Sequence, residues 1–254
     1  MMIDSTQRFS DRVDDYVRYR PGYPADVLHV LKQEAGLTCG AIVADLGSGT
    51  GISSQLFLDH GNTVFAVEPN RQMRLAAEKQ LSSNPRFHSI DGTAERTTLA
   101  DRAVDLIFAG QAFHWFNREQ ARQEFTRILR PRGFVVLIWN DRRIDSTPFL
   151  RDYEALLREF GIDYQQVNHK NVDDRAIADF YAPASFQICR LENNQHLDLA
   201  GLTGRITSSS YMPGIDHPRY GPMLETTQRL FQQHQRGGRV TIEYDTVLYF
   251  GQLD

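Results

Sequence analysis

Cysteine is scarce in this chain of 254 residues: only Cys39 and Cys189 occur, with no CxxC pair and no metal-ligand spacing. That excludes a disulfide scaffold and fits a reducing compartment, so a cytoplasmic location is expected. The eight histidines are dispersed along the chain, and no metal site is expected. Long apolar runs are missing as well. The longest, from Phe134 to Trp139, falls far short of the roughly 20 residues that a bilayer demands. The first residues carry Asp4, Arg8, Asp11 and Arg12, which a secretory leader does not show, and neither a membrane span nor a signal peptide is expected. An excess of positive charge is also absent. Lys plus Arg number 28 against 32 Asp plus Glu, a net charge of −4, which disfavours a nucleic-acid partner.

What is present is an ordinary globular composition, 41% hydrophobic and 24% charged, with no internal repeat. Phe9, Val13, Tyr16 and Val17 fall at helical spacing and predict a helix over 5–19, stopped by Arg20-Pro21-Gly22. Pro24 opens a second helix that Gly36 closes. From residue 41 the period changes. Ala41-Ile42-Val43-Ala44-Asp45-Leu46 is a nearly continuous apolar run, the pattern of a strand covered on both faces. Further strands are predicted over 63–67, 86–90, 104–109 and 134–140, alternating with helices over 51–60, 69–81 and 118–129. This alternation implies a parallel, doubly wound α/β sheet with right-handed crossovers.

Beyond Asn140 the rhythm breaks. A helix over 148–160 and a second short helix read as a small helical cap over 141–183. Residues 184–254 follow with a strand over 186–197, helices near 199–208 and 220–235, and a last strand over 240–250. In that strand Val240, Ile242, Tyr244, Leu248 and Phe250 fall on one face and Glu243 and Asp245 on the other, as expected of an edge or antiparallel strand with one side wet. The expectation is a single Rossmann-like domain over 1–254, with lid helices over 1–36, a core over 41–140, and a mostly parallel seven-stranded sheet ending in an antiparallel strand.

The chemical signal is Asp45-Leu46-Gly47-Ser48-Gly49-Thr50-Gly51, at the end of the first strand. In open α/β sheets this is where ligands bind, and glycines there let the backbone approach them closely. Spacing separates the nucleotide loops. A dinucleotide fingerprint needs glycine where Ile52 stands, a P-loop needs a Gly-Lys pair, and a nucleophile elbow needs serine where Gly49 stands. Glu68, closing the second strand, is placed to take both hydroxyls of an adenosine ribose. These features point to an adenosine ligand whose remainder is not a pyrophosphate.

Here the sequence resembles the class I S-adenosylmethionine-dependent methyltransferases. Residues 43–51 resemble the first motif of that family, Val67-Glu68-Pro69-Asn70 with Met73 the second, and Asp91-Gly92-Thr93-Ala94-Glu95 the adenine-binding segment. The resemblance covers about 41–140 and implies S-adenosyl-L-methionine as cofactor. It places Asp45, Gly47, Ser48, Gly49 and Gly51 at the methionine end, Glu68 on the ribose, and Met73, Asp91, Thr93 and Ala94 around the nucleoside. Pro131-Arg132-Gly133-Phe134 is similar to the turn entering the fifth strand. Tyr19-Arg20-Pro21-Gly22-Tyr23-Pro24 and Gln111-Ala112-Phe113-His114-Trp115-Phe116 resemble the small-molecule, trans-aconitate methyltransferase-like branch. By that resemblance Tyr19, Arg20 and Gln111 join the cofactor site. Trp115 and Arg142 border the substrate, with Arg142 and its neighbour Arg143 on the rim where a carboxylate could be clamped. His114 is the candidate general base.

Plainer roles stand beside these. Asp91 could cap a short helix beginning near Ala94, His114 could be packed for structure, Tyr16, Tyr19 and Arg20 could pack the N-terminal helix, and Arg142 and Arg143 could be solvated. The expected activity is methyl transfer to a small molecule, with no nucleic-acid or membrane partner; the acceptor could be a carboxylate, as in the branch resembled, or a hydroxyl or amine, for which His114 would serve as base. The alternatives are a non-catalytic sensor of the same cofactor and, less favoured by Ile52, a nicotinamide-dependent oxidoreductase.

Overall fold

Short β-branched and apolar runs, each ended by glycine or by a polar cap, divide this chain into strands and helices that alternate. In the computed structural model, which describes residues 17–164 and 174–253, they assemble into a seven-stranded sheet. The elements are α1 (Asp26–Glu34), β1 (Ile42–Leu46), α2 (Ile52–His60), β2 (Thr63–Val67), α3 (Arg71–Leu81) and β3 (Phe87–Ile90). Then come β4 (Val104–Gly110), a 3-10 turn (Phe113–Trp115), α4 (Arg118–Ile128), β5 (Leu129–Arg142) and α5 (Pro148–Phe160). The chain continues through α6 (Asp174–Tyr181), β6 (Phe186–Leu197), α7 (Leu199–Thr207), α8 (Tyr220–His234) and β7 (Val240–Gly251). Most of the helix predicted over 5–19 lies outside the described residues, as does Tyr16; residues 17–19 are helical.

Strand order is β3-β2-β1-β4-β5-β7-β6. Only β7 runs antiparallel to its neighbours, so six strands point one way. The doubly wound, mostly parallel sheet expected from the sequence is present. Alternate side chains feed two cores, as the strand period of two requires. Val43, Val64, Leu106, Phe108, Val136 and Ile138 pack with Val27 and Leu31 of α1 and Phe57 of α2. Ala44, Leu46, Ile107, Ala109 and Leu137 face the other way, onto Phe125 of α4 and Phe180 of α6.

β7 is the antiparallel strand expected from the sequence, and it is not at the edge of the sheet. It lies between β5, from Val135↔Gly251 to Arg142↔Tyr244, and β6, from Phe186↔Gly251 to Leu197↔Val240. The predicted alternation holds only for its first half. From Thr246 to Phe250 both faces are buried, because this part of the strand runs between the two helical layers; the edge is β6, with alternately exposed side chains. The pairing of β5 also starts earlier than Phe134. Leu129 pairs with Val104, and a register shift then carries the strand across Arg132, at φ +67°, and Gly133 to the pair Phe134↔Leu106.

A third cluster stands at the end of the sheet where the parallel strands finish. Phe149, Leu150, Tyr153 and Leu157 of α5 pack there with Leu202 and Ile206 of α7, Met223 of α8, and Ile242 and Tyr244 at the start of β7. The two helices that follow β5 therefore go to different places: α5 joins this cluster over the strand ends, whereas α6 packs beside α4 on the sheet face. Among the described residues, no helix is long and apolar enough to cross a membrane.

Candidate functional site

The loop after β1 is shaped by three glycines in the left-handed region, Gly47, Gly49 and Gly51, at φ +66°, +55° and +87°. This curl turns the backbone N–H of Gly47 and Ser48 onto the carbonyl of Val67, at 2.9 and 3.2 Å. The Gly49 N–H donates to Glu68 Oε2 at 2.9 Å. A Cβ on Gly47 would stand 2.6 Å from that of Ala112, so this glycine allows the β4 side to approach. A Cβ on Gly49 would meet nothing within 4 Å, because its open side faces a cavity. Gly51 instead serves helix packing, against Leu81 and Ala77 of α3.

Asp45 lies beneath this loop, fully buried. Its Oδ2 accepts the hydroxyls of Ser53 and Ser54, at 2.7 and 2.6 Å, while Oδ1 has no partner among the described residues. Burial pushes its carboxyl up to about 6, and the nearby Glu68 charge adds to the shift against the opposing hydroxyl bonds. The motif implied a place at the methionine end of the cofactor; the structure sets this carboxylate behind the loop. Asp45 and Gly51 line neither of the two cavities described next; Ser53, bonded to Asp45, lines one of them.

The first cavity, about 190 Å³, is bounded by Gly47, Gly49, Glu68, Asn70, Met73, Thr93, Ala94, Gln111, Trp115 and Phe116. Glu68 is clamped through both oxygens, Oε1 accepting from Asn70 N–H at 2.8 Å and Oε2 from Gly49 N–H. Burial raises its pKa, opposed by these two N–H bonds and by Arg74. Asn70 caps α3 by accepting from Gln72 and Met73 N–H, which sets Met73 on the cavity wall.

Asp91 stands apart from this arrangement. Its side chain is 74% exposed, pairs with Arg74 at 2.8 Å and lines neither cavity. The short helix that it could have capped is absent too. Residues 93–96 form a turn closed by a Thr93↔Arg96 bridge, since Gly92 packs closely against the backbone there and a helical turn has no room.

Gln111 takes φ +57°, unusual for a residue with a side chain, and its N–H donates to the Ile138 carbonyl at 2.9 Å. Such strain held in place by the fold concentrates at functional sites. Gln111 lies where the first cavity meets a second, of about 280 Å³, and Gly47, Gly49 and Trp115 are shared by the two.

The second cavity gathers Ser48, Arg20, His114, Trp115 and Arg142, which the sequence had singled out. His114 sits on the 3-10 turn with its ring 4.7 Å from that of Trp115, and Trp115 is 39% exposed. Arg20 donates to the Ser208 carbonyl at 3.1 Å. Its segment is strapped down through Gly22 O, which accepts from the side chains of Asn140 and Asn193. Tyr19 is turned away: its ring packs against Gly204 of α7, its carbonyl accepts from Gln195 at 2.8 Å, and it lines neither cavity. Of the two rim arginines, Arg143 is spent on Asp245 at 2.7 Å, whereas Arg142 points inward.

Several lining residues escaped the sequence reading: Glu154 and Arg158 of α5, Tyr164, Arg205 of α7, Tyr211 and Tyr244 of β7. One signal was available, since Arg205 is the one charge in the run Leu199-Ala200-Gly201-Leu202-Thr203-Gly204-Arg205-Ile206. Arg142 Nη2 donates to Glu154 and to Tyr164 Oη, and its guanidinium lies 5.0 Å from the Tyr153 ring. Burial of Glu154 raises its pKa, but the Arg142, Tyr164 and Arg158 bonds outweigh this and hold the carboxyl below its usual range. Among the described residues no cluster of side chains could hold a metal ion.

Comparison with known proteins agrees with this geometry. Residues 44–137 match the family described as a methyltransferase domain. The chain is 31% identical over 153 residues to an uncharacterized methyltransferase-like protein of Schizosaccharomyces pombe, covering 60% of this chain and 58% of that one. It is 35% identical over 139 residues to an uncharacterized methyltransferase of Mycobacterium tuberculosis, covering 55% and 54%. A malonyl-[acyl-carrier protein] O-methyltransferase of Marinomonas is 28% identical over 175 residues, 68% of this chain and 61% of that one. The chain thus spans less than two thirds of the length of these relatives. Among solved structures, a protein of Anaeromyxobacter dehalogenans provisionally assigned as a type II methyltransferase superposes with TM-score 0.69 at 20% identity, over 92% of this chain and 98% of that one. A phosphoethanolamine N-methyltransferase of Haemonchus contortus, holding S-adenosylhomocysteine, gives 0.57 at 15% identity over 97% of this chain and 58% of that one. At these identities the structural likeness is one of fold.

Proposed function

We propose that this chain binds S-adenosylmethionine across its glycine loop and catalyses methyl transfer to a small acceptor that carries a carboxylate. The observation that carries this reading is that two cavities of opposite character meet at Gly47, Gly49 and Gln111. One side offers a buried carboxylate and apolar walls, and the other is lined by arginines.

The residues fit the cofactor. Each Glu68 oxygen accepts one backbone N–H and keeps a lone pair for one of two vicinal hydroxyls. Met73, Ala94 and Phe116 form a wall suited to a flat aromatic base, and the absent Cβ of Gly49 leaves the approach open. When bound, S-adenosylmethionine supplies an electrophilic methyl group on a positively charged sulfur.

Everything else falls to positioning. The acceptor atom must be held in line, about 3 to 3.5 Å from the methyl carbon. Gln111 and Trp115 line both cavities where they meet, and His114 lines the second. Arg142 holds the acceptor carboxylate, which is ionised at neutral pH and needs no base. The O-methyltransferase relative, named for a malonyl substrate that ends in a carboxylate, supports this choice of acceptor.

The test is calorimetry of S-adenosylmethionine, S-adenosylhomocysteine and NAD with the purified chain. Both sulfur nucleosides are expected to bind, and Glu68→Ala to weaken them by about tenfold or more, which corresponds to about 1.4 kcal/mol. Binding of NAD alone would overturn the proposal.

A further inference from the structure

Arg205 is 7% exposed, yet among the described residues its guanidinium has only neutral partners, Tyr244 Oη at 3.3 Å and Ser209 Oγ at 3.1 Å. No carboxylate of the described residues forms a salt bridge with it. A buried cation is normally matched by a counter-charge, because desolvation disfavours it strongly otherwise. Arg142 does not fill that need. Its own counter-ion, Glu154, is shared with Arg158 and Tyr164, and Arg142 Nη1 is buried with no partner among the described residues. Both guanidiniums act on the Tyr153 phenol from the same cavity. Among the described residues, Arg20, Arg142, Arg158 and Arg205 thus line this space against one carboxylate, that of Glu154.

We propose that Arg205 is a specificity-determining residue, holding a second anionic group of the acceptor, one that does not receive the methyl. The missing counter-charge is then supplied by the ligand, and the preferred acceptor carries two separated negative charges. An arginine fork suits this task, since it stays charged at every accessible pH and offers paired donors to a carboxylate or phosphate. Structure alone does not explain the residue. An apolar side chain at this position of α7 would pack without any desolvation cost, and the hydroxyls around Arg205 orient the charge without neutralising it. The place of this subsite in catalysis rests on the methyl-transfer reading; its affinity for anions does not.

The experiment is calorimetric titration of the full chain with acetate and with succinate at constant ionic strength, with and without saturating S-adenosylhomocysteine. The wild-type chain is expected to prefer succinate by about tenfold or more. Arg205→Gln should bring the two affinities together while leaving acetate binding within about twofold. Arg205→Met, whose apolar chain suits the buried position, provides the same comparison if the glutamine variant does not fold. Equal affinity for the two acids in the wild type, or an unchanged preference in either folded variant, would overturn the proposal. So would failure of both variants to fold, which would make the arginine structural. Failure of S-adenosylhomocysteine to bind while the succinate preference persists would sink the cofactor reading and leave the subsite standing.

Discussion

Asp45 shows how one buried carboxylate carries a cost that the fold tolerates. Its pKa is raised from 3.8 to about 6, foremost by burial, so folding takes up a proton between those values. Stability tied to this group is therefore present at low pH and falls as pH rises through the window. Asp45→Asn removes the ionisation, and the ligand-free variant should be more stable than the wild type at pH 8 by up to about 3 kcal/mol. That gain should vanish near pH 4. Denaturant melts at the two pH values check this, and equal gains at both would refute it. His114 is the complementary case. If the acceptor is an ionised carboxylate, His114→Ala should leave turnover within about twofold, whereas loss of a base typically costs about 10²–10⁴-fold. A loss of that size in steady-state assays would make His114 the base. Residues lining the first cavity were legible in the sequence where a local motif specifies position, as with Gly47, Gly49, Glu68, Met73 and Ala94. Asp91 and Tyr19 belong to equally recognisable motifs, yet their side chains turn elsewhere, to Arg74 and to Gly204. A motif specifies the backbone path more firmly than the direction of each side chain.

Elements were read correctly wherever the apolar period was unbroken. β1, β2 and β4 are short runs whose neighbours on both faces are helices, and such runs admit few alternatives. In the structure α3, α4, α5 and α7 start at capping side chains, those of Asn70, Asn117, Thr147 and Asp198. The misreadings came where an element's surroundings change along its length. The first half of β7 alternates and the second half is buried on both faces, because the strand leaves the cluster over the strand ends and enters the middle of the sheet. Alternation alone reports one wet face and does not say which neighbour covers the other. The helix imagined near Ala94 failed for a related reason, since the close approach of Gly92 to the backbone of Arg96 and Thr97 is a tertiary contact.

At the scale of the whole molecule, β7 joins the three apolar clusters. Val247 and Tyr249 enter one, Leu248 and Phe250 the second, and Val240, Ile242 and Tyr244 the third. Thermal unfolding should therefore be a single transition, with the sheet and the helices over the strand ends lost together. Leu248→Ala, at a fully buried position, should cost about 2–5 kcal/mol and lower that transition as one. Two separated steps by calorimetry would show that the third cluster is an independent unit. The amino-acid sequence by itself determined the alternation of strands and helices, the doubly wound sheet and the glycine loop at the end of β1, because each is written in a local pattern of apolar period and turn residues. Only the tertiary structure decided the second cavity. Arg20, Arg142 with Glu154, Arg205 and Tyr244 come from four distant stretches of the chain, and their juxtaposition follows from the sheet order and the packing of α5, α7 and β7, which no local pattern encodes.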